Sequence, residues 1–311
     1  MLSYIFKKIF YVVPIILGVV LCIFLLFNVV AGDPTAVILG KYATAKQMAE
    51  LRHQLGLDKS LMLQYLDMVK SVFSFDFGIS WKTKQPILSM LLEGASNSLT
   101  ITLPVFFLSN ILATSISLWI SSLRNKIFDK VVVFVCIVLT SVSILAYVLF
   151  GQWFLSFKMG IFEICGYEKG FPHFIPYVAL PVLICVFLSL GHEIRYYRSI
   201  ILDEISQDYV RTAIAKGLPK NIVLFKHVLK NIMIPIVYNA VSQFPVLIMG
   251  NLVIENFFSI PGFSNIIVQA IYNSDFPVIK AGTIIISVAC IFFNILGDVV
   301  SKFLDPRINL K

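Results

Sequence analysis

Few residues of this chain have the type and spacing that catalysis or phosphate binding requires. Gly40-Lys41 is followed by Tyr42 and lacks the earlier glycine of a Gly-x4-Gly-Lys-Ser/Thr phosphate-binding loop. His192-Glu193 is not followed by the second histidine that a zinc-protease helix needs. The four histidines and five cysteines are scattered, with no pair at metal-ligand spacing. We therefore expect this chain to be neither an enzyme nor an ATPase, and to hold no metal or cofactor of its own.

The segment from Asp208 to Pro235 has the composition of a binding surface rather than of a catalytic site. It is polar and basic, and it lies between two apolar runs. Gly217 stands where a short helix should end, with Lys216 in the last turn at the negative end of the helix dipole. Pro219 suits the first turn of a following helix, where its missing N–H costs nothing. The pattern predicts a helix, a tight turn and a second helix, which would serve either as a docking site or as an ordinary amphipathic connector.

The composition indicates which kind of element must position that segment. The 311 residues are 58% hydrophobic and only 14% charged, and the mean hydropathy is +0.88. Several continuous apolar runs reach about 20 residues, the length that crosses a hydrocarbon core. Because these runs do not alternate in polarity, they predict a helical bundle rather than a membrane barrel. The chain is thus expected to be an all-α membrane protein.

The apolar runs predict six transmembrane helices. The first is too long for the apolar core of a signal peptide, so we expect it to be retained. The fourth is short and could extend through Gly191 toward Glu193. The predicted spans are Ile9–Ala31, Leu99–Ile120, Val131–Phe154, Tyr177–Leu190, Ile236–Ile254 and Val278–Val300.

The distribution of charge predicts the orientation. With the N-terminus in the cytoplasm, the cytoplasmic segments hold 15 basic and 7 acidic residues, whereas the outer segments hold 10 of each. The excess of positive charge falls on one side, as the positive-inside rule expects. A nucleic-acid surface would not sort by membrane side, so the partner of the basic segments is the lipid bilayer and no nucleic acid. Both termini are expected in the cytoplasm.

The division of the chain follows from these spans. Residues 1–31 contain the N-terminus and first span, and residues 99–311 form a five-helix core that contains the cytoplasmic loop 203–235. Residues 32–98 are predicted to be external, with an amphipathic helix from Ala45 to about Phe73 that is interrupted around Gly56. That helix could also lie flat on the membrane surface.

The stretch Asp208–Leu218 resembles the cytoplasmic docking loop of permease subunits of ATP-driven importers, in the peptide and nickel branch. The general form of that loop has Glu-Ala-Ala where this chain has Arg211-Thr212-Ala213, and many members have Pro where Lys230 stands. Both departures are typical of the branch. Further similar motifs follow one another in order along the whole chain, at Gly32–Pro34, Leu55–Tyr65, Phe75–Ser80, Glu255–Phe263, Asp275–Val278 and Leu304–Arg307. The chain is most similar to the first of the two permease subunits of that branch.

The resemblance implies a fold and a set of partners. The expected fold is that of a type I ABC importer permease, in the bacterial inner membrane. Such a permease pairs with a second homologous permease, with two ATPase subunits that bind ATP and Mg²⁺, and with an extracytoplasmic substrate-binding protein. Di- or oligopeptides are the expected solutes, with nickel or another metal chelate as the alternative.

The resemblance also implies which residues contact the ATPase. Ala213 and Ala215 are small, which would let a partner approach the backbone closely. At Gly217, a backbone with φ > 0 would exclude a β-branched replacement. The full predicted contact comprises Tyr209, Arg211, Thr212, Ala213, Ala215, Lys216, Gly217 and Leu218.

Polar residues inside the predicted spans are candidates for the solute path, because such residues usually face the bundle interior. They could equally be helix-packing residues. We select Asn239, Ser242, Gln243, Thr140 and Asn294. An ion-coupled secondary transporter is the main alternative function. It should carry acidic residues within its spans, and we expect none at the span centres here. An intramembrane enzyme would need a catalytic set, which the sequence lacks.

Overall fold

The computed structural model of the protein describes residues 2–30, 35, 39, 44–54, 56–124, 126–219 and 222–304. These residues are mostly helical, and the only strand-like pairing among them is an isolated bridge between Ile79 and Pro86. The chain forms two compact units. Unit 1 comprises Met1–Ser96 and Gly262–Ile295, and unit 2 comprises Asn97–Pro261 and Leu296–Lys311.

Thirteen α-helices are found in the described ranges. The first six are α1 (Leu2–Leu25), α2 (Ala45–Gln54), α3 (Leu61–Ser74), α4 (Ile87–Ser122), α5 (Ile127–Ser141) and α6 (Ile144–Gly151). The others are α7 (Ile175–Ile205), α8 (Asp208–Ala215), α9 (Leu229–Ser242), α10 (Phe244–Met249), α11 (Leu252–Phe257), α12 (Phe263–Tyr272) and α13 (Phe276–Leu304). Short π-helical segments continue α1 and α6 and lead into α9, at Leu26–Val30, Gln152–Lys158 and Val223–Val228.

Five helical segments of the described chain are long and apolar enough to cross a membrane. They are Phe10–Asn28, Ile87–Ser122, Ile175–Ile205, Val223–Phe257 and Phe276–Val300. A sixth candidate is the pair formed by α5 and the apolar segment Ile144–Lys158, which are bent by 90° relative to each other. The predicted count of six therefore holds only if this bent pair is one span.

The third predicted span, Val131–Phe154, is wrong as a continuous helix. Val142 and Ser143 have extended backbone, with ψ of 135° and 142°, and they separate α5 from α6. The hydroxyl of Ser143 accepts a hydrogen bond from Leu145 N at 3.3 Å and so caps the start of α6. An N-cap residue inside an apolar run thus ends one helix and begins another.

The fourth predicted span was too short. Helix α7 contains 31 residues and continues 15 residues beyond the predicted end at Leu190. The polar residues that interrupt the apolar run have partners within unit 2, because Glu193 contacts Ser109 and Arg198 contacts Asp129. Helix α7 therefore continues as a helix through a polar stretch.

Unit 2 is organised around α7. Tyr197 and Ile201 are fully buried, and they share one apolar core with Val210 of α8 and Val228 and Ile232 of the α9 region. The short helix α8 is thereby packed against the long helices of its own unit.

Unit 1 contains the region that the sequence predicts to be external. The expected interruption around Gly56 is present, because α2 ends at Gln54 and α3 begins at Leu61. Helix α3 packs against α1, where Val72 and Val20 share an apolar core and the Tyr65 hydroxyl donates to Leu17 O at 3.1 Å. The similar motifs at Gly32–Pro34 and Asp305–Arg307 lie outside the described residues.

Candidate functional site

Helix α8 and the turn that follows it form the first candidate site. Asp208 lies in the first turn, where its negative charge interacts favourably with the positive end of the helix dipole. After α8, Gly217 has φ of +81°, which glycine adopts without strain. The Gly217 N–H donates to Ile214 O at 2.9 Å, and the Leu218 N–H donates to Ala213 O at 3.4 Å. These two bonds are those of a Schellman motif, so the predicted tight turn is present and well defined.

One face of α8 is buried against the core of unit 2, and the other is exposed. Val210 and Ala213 form the buried face, and Ala213 is only 7% exposed. Of the predicted contact residues, Ala213 thus packs inward, where it does not present its methyl group to another protein. The exposed ones are Tyr209, Arg211, Thr212, Ala215, Lys216, Gly217 and Leu218.

Tyr209 connects α8 to the two long helices beside it. Its hydroxyl donates to Glu204 Oε1 of α7, and the Asn231 amide of α9 donates to both Glu204 Oε1 and the Tyr209 hydroxyl at 2.9 Å each. Burial, and then the hydrogen bond to Glu204, raise the pKa of Tyr209 to about 12. The Tyr209 hydroxyl therefore positions α8 within the chain.

The second helix of the predicted pair is described from residue 222 onward. Val223 N donates to Pro219 O at 3.1 Å. Val223 and Val228 are buried, whereas Lys226 is exposed. Lys216 before the turn and Lys226 after it are both exposed.

The polar residues predicted to line a path have different surroundings. The Asn239 amide donates to the Tyr197 hydroxyl at 3.2 Å, and that hydroxyl donates to Asn110 Oδ1 at 2.5 Å. Ser242 and Thr140 donate to backbone carbonyls of their own helices. Asn294 is an exposed residue of α13 in unit 1. The structure thus places Asn239 in a partly buried polar network centred on Tyr197, which was not among the predicted path residues.

Gln243 lines the second candidate site, a pocket of about 340 Å³ within unit 2. Its polar lining residues include Ser109, His192 and Glu193, and most of the remaining wall is apolar. Glu193 is 5% exposed, and the Ser109 hydroxyl donates to its Oε1 at 3.2 Å. The structure thus buries an acidic side chain within α7, three residues beyond the predicted end of the fourth span at Leu190.

The Glu193 side chain was missed because the predicted fourth span stopped at Leu190, which placed Glu193 in a cytoplasmic segment. The signal that could have identified it is the length of that span. A 14-residue run is shorter than the roughly 20 residues a crossing helix needs, so the helix had to extend into the polar residues that follow.

A polar pocket of about 440 Å³ also lies within unit 1. Lys280 of α13 donates to Asn28 Oδ1 at 2.7 Å, and its ammonium lies 5.7 Å from the centre of the Phe27 ring. The Asn28 amide in turn donates to Gln64 Oε1 at 2.8 Å. In the described part of the chain, no group of three or more His, Cys, Asp or Glu side chains could hold a metal ion.

Comparison with known proteins places this chain among transport proteins. Residues 110–310 match the family described as binding-protein-dependent transport system inner membrane component, and residues 1–103 match the N-terminal region of such membrane components. The glutathione transport system permease protein GsiC of Salmonella choleraesuis is 29% identical over 311 residues, which cover all of both chains.

Two further relatives each align with 99% of this chain over 99% of their own length. The dipeptide transport system permease protein DppB of Alkalihalophilus pseudofirmus is 26% identical, and a putative peptide transport system permease protein of Brucella suis is 29% identical. The matches extend over the same ordered motifs that carried the resemblance in the sequence, and they confirm it. The chain therefore belongs to the family of inner membrane components of binding-protein-dependent transport systems, and it is a multi-pass permease component of an ABC importer.

Proposed function

We propose that this chain forms half of the translocation path for peptides in an ATP-driven importer. The names of its relatives support peptides, because the three described above are glutathione, dipeptide and peptide permeases. These names favour peptides over the nickel chelate that the resemblance leaves as the alternative. An extracytoplasmic binding protein delivers the solute, and a second homologous permease completes the path.

The energy comes from two ATPase subunits that bind ATP and Mg²⁺, because this chain serves as a permease and has no ATPase site of its own. The observation that carries this part of the proposal is helix α8. Its inward face is held by Val210 and Ala213, while its outward face and the Gly217 turn are exposed. A short helix that is fixed on one side and free on the other is suited to dock a cytoplasmic partner. Both termini of the chain lie on the same cytoplasmic side.

The Tyr209 hydrogen-bond network offers a route for coupling. Because Tyr209 binds Glu204 of α7 and Asn231 of α9, a displacement of α8 by an ATPase would move the ends of both long helices. The permease would then change between two packings as a rigid body. ATP binding and solute release are coupled only if both favour the same packing.

Copurification and transport together test the proposal. The tagged chain is isolated from membranes in mild detergent, and its partners are identified by mass spectrometry. The isolated complex is then placed in proteoliposomes with its binding protein, and the uptake of radiolabelled dialanine and of nickel chelates is measured with and without ATP. ATP-dependent uptake of dialanine by a complex that contains a second permease and ATPase subunits is the expected result. A chain that purifies alone from functional membranes, or uptake of nickel alone, would contradict it.

A further inference from the structure

Glu193 is a buried carboxylate for which the proposed function has so far no role. It belongs to α7, inside a segment long and apolar enough to cross a membrane. Its side chain lines the 340 Å³ pocket together with residues of α4 and α10 and with Gln243, Gly250 and Asn251, which flank α10. The pocket and all the residues that surround it belong to unit 2.

The two oxygens of this carboxylate are in different situations. Oε1 accepts the hydrogen bond from Ser109, whereas Oε2 is buried and has no hydrogen-bond partner among the described residues. Gln243 also lines the pocket, but it makes no hydrogen bond to this oxygen. Buried polar atoms in folded proteins are nearly always hydrogen-bonded, so an orphan oxygen in a pocket points to a group that is bound there at some stage.

No Lys or Arg lines the pocket, and His192 is the imidazole among its lining residues. Arg198, five residues further along α7, is already paired with Asp129 at 2.7 Å. A buried carboxylate without a cationic partner is costly, and an acidic residue within a membrane span usually marks a substrate or ion pathway.

The remaining wall of the pocket fits a small amphipathic solute. Apolar side chains such as Ile101, Val105 and Leu247 form most of it, and Ser109 and Gln243 supply polar contacts beside Glu193. A volume of about 340 Å³ falls within the range of small-molecule sites. A peptide has a terminal ammonium group next to short side chains, which matches this arrangement of one anionic group in an apolar wall.

We propose that Glu193 binds the ammonium group of a peptide during its passage through the permease, with Ser109 and Gln243 orienting the carboxylate. This inference rests on the proposed function and assigns one contact of the path. The Oε2 atom, which has no hydrogen-bond partner among the described residues, accepts a charge-assisted hydrogen bond from the ammonium group of the solute. The bond must break again for release, and the weak single contact on Oε2 permits this.

The test separates the permease pocket from the binding protein, which also selects solutes. The complete importer complex is solubilised without the binding protein, and equilibrium binding of radiolabelled dialanine is measured. Competition with N-acetyl-dialanine, which lacks the ammonium, and with N-acetyl-alanyl-lysine distinguishes a terminal from a side-chain ammonium. Three variants are compared with the native chain, namely Glu193→Gln, Glu193→Asp and Glu163→Gln. Glu163 is an exposed carboxylate in the loop before α7 and serves as the matched control.

Glu193→Gln should weaken dialanine binding about tenfold or more, since a hydrogen bond between charged groups is lost. Glu193→Asp should retain part of the binding, and Glu163→Gln all of it. N-acetyl-dialanine should fail to compete with dialanine on the native complex. Equal binding by the native chain and Glu193→Gln, effective competition by N-acetyl-dialanine, or no binding to the native complex would each overturn the inference.

A parallel uptake experiment distinguishes a failure of the Glu193 inference from a failure of the proposed function. With one binding-protein preparation, Glu193→Gln should lower the amount of dialanine taken up per ATP hydrolysed, while Glu163→Gln leaves this ratio unchanged. If the native importer takes up dialanine and Glu193→Gln has the native ratio, this inference is wrong and the proposed function stands. If the native importer does not take up peptide, the proposed function fails with it.

Discussion

Arg198 of α7 donates two parallel hydrogen bonds to the carboxylate of Asp129 on α5. They join Nε to Oδ1 and Nη2 to Oδ2, and each is 2.7 Å long. The Asp129 side chain is 4% exposed and that of Arg198 is 24% exposed. Planar two-point pairing of this kind fixes both distance and orientation. It joins the beginning of the bent α5–α6 pair to the polar half of α7.

Asp129→Asn should destabilise unit 2, because it leaves the partly buried Arg198 guanidinium without its charged partner. Breaking one side of a buried pair costs about 3 kcal/mol. The variant should therefore unfold at a Tm several degrees lower when heated in detergent. Asp67→Asn removes one side of the exposed Lys59–Asp67 pair and should leave the Tm unchanged. Equal Tm values for the two variants would show that the buried pair contributes little.

Gly217→Val should uncouple ATP hydrolysis from transport while the chain still enters the membrane. Valine at φ of +81° would be strained, and the Schellman turn on the proposed docking surface would be displaced. Gly160→Val is the matched control, because Gly160 also has a positive φ of 65° and open space around its Cα. We expect copurifying ATPase and peptide uptake to fall in Gly217→Val alone. Normal uptake by that variant would contradict the docking role of the turn.

Gly250→Ala tests a close approach in unit 2. A Cβ atom at Gly250, whose φ is +74°, would overlap the carboxylate of Glu255 and the hydroxyl of Ser98. That hydroxyl donates to the fully buried Glu255 at 2.6 Å. Strain plus a disturbed buried hydrogen bond should cost about 2–4 kcal/mol. Gly160→Ala has the backbone strain without the overlap, so its Tm should fall less. A smaller loss for Gly250→Ala would mean that the Glu255 side chain moves aside easily.

Asp275 holds a loop of unit 1, since its carboxylate accepts hydrogen bonds from the Ser80 hydroxyl at 2.5 Å and from the backbone N–H groups of Trp81 and Lys82 at 3.1 and 3.3 Å. Asp275→Ala leaves three donors without their acceptor. We expect faster tryptic cleavage after Lys82 and Lys84. Asp76→Ala, which removes a single exposed bond to Gly78 N, should leave the cleavage rate unchanged. Unchanged cleavage in Asp275→Ala would show that other contacts hold the loop.

Tyr209→Phe should loosen α8 and remove a dependence of stability on pH. Because the folded-state pKa of Tyr209 is raised to about 12, the folded state favours the neutral phenol. Its contribution is complete below the ordinary pKa of about 10 and is lost as pH rises toward 12. The Tm difference between the native chain and Tyr209→Phe should thus be constant below that pKa and shrink above it. Tyr272→Phe alters a side chain that is 80% exposed and should show no difference. A Tm gap that grows at alkaline pH would contradict the assignment.

The local features of the fold were predictable from sequence because neighbouring residues cause them. The turn at Gly217 and the helix before it follow from a glycine, a dipole-compatible lysine and a proline in the right order. The break around Gly56 is of the same kind. The apolar runs identified five of the long helices, although their ends differ by many residues where polar side chains follow.

The features that the sequence left open depend on contacts between distant residues. Helix α7 continues through His192 and Glu193. The buried Glu193 carboxylate accepts a hydrogen bond from Ser109, which is 84 residues away in the sequence. The inward orientation of Ala213 depends on the core formed by Val210 and Val228. A window of hydropathy averages over neighbours and contains none of these partners.

The sequence alone thus determined that the chain is a helical membrane protein, which family it belongs to, and where its exposed basic helix and turn lie. These properties arise from composition, from short-range turn chemistry and from ordered motifs. Only the tertiary structure decided that the third predicted span is broken into two helices, that α8 buries one face, and that Glu193 lies in a pocket with one unsatisfied oxygen. Each of these depends on which side chains meet in space, because burial and hydrogen bonding are properties of the packed chain and not of its individual residues.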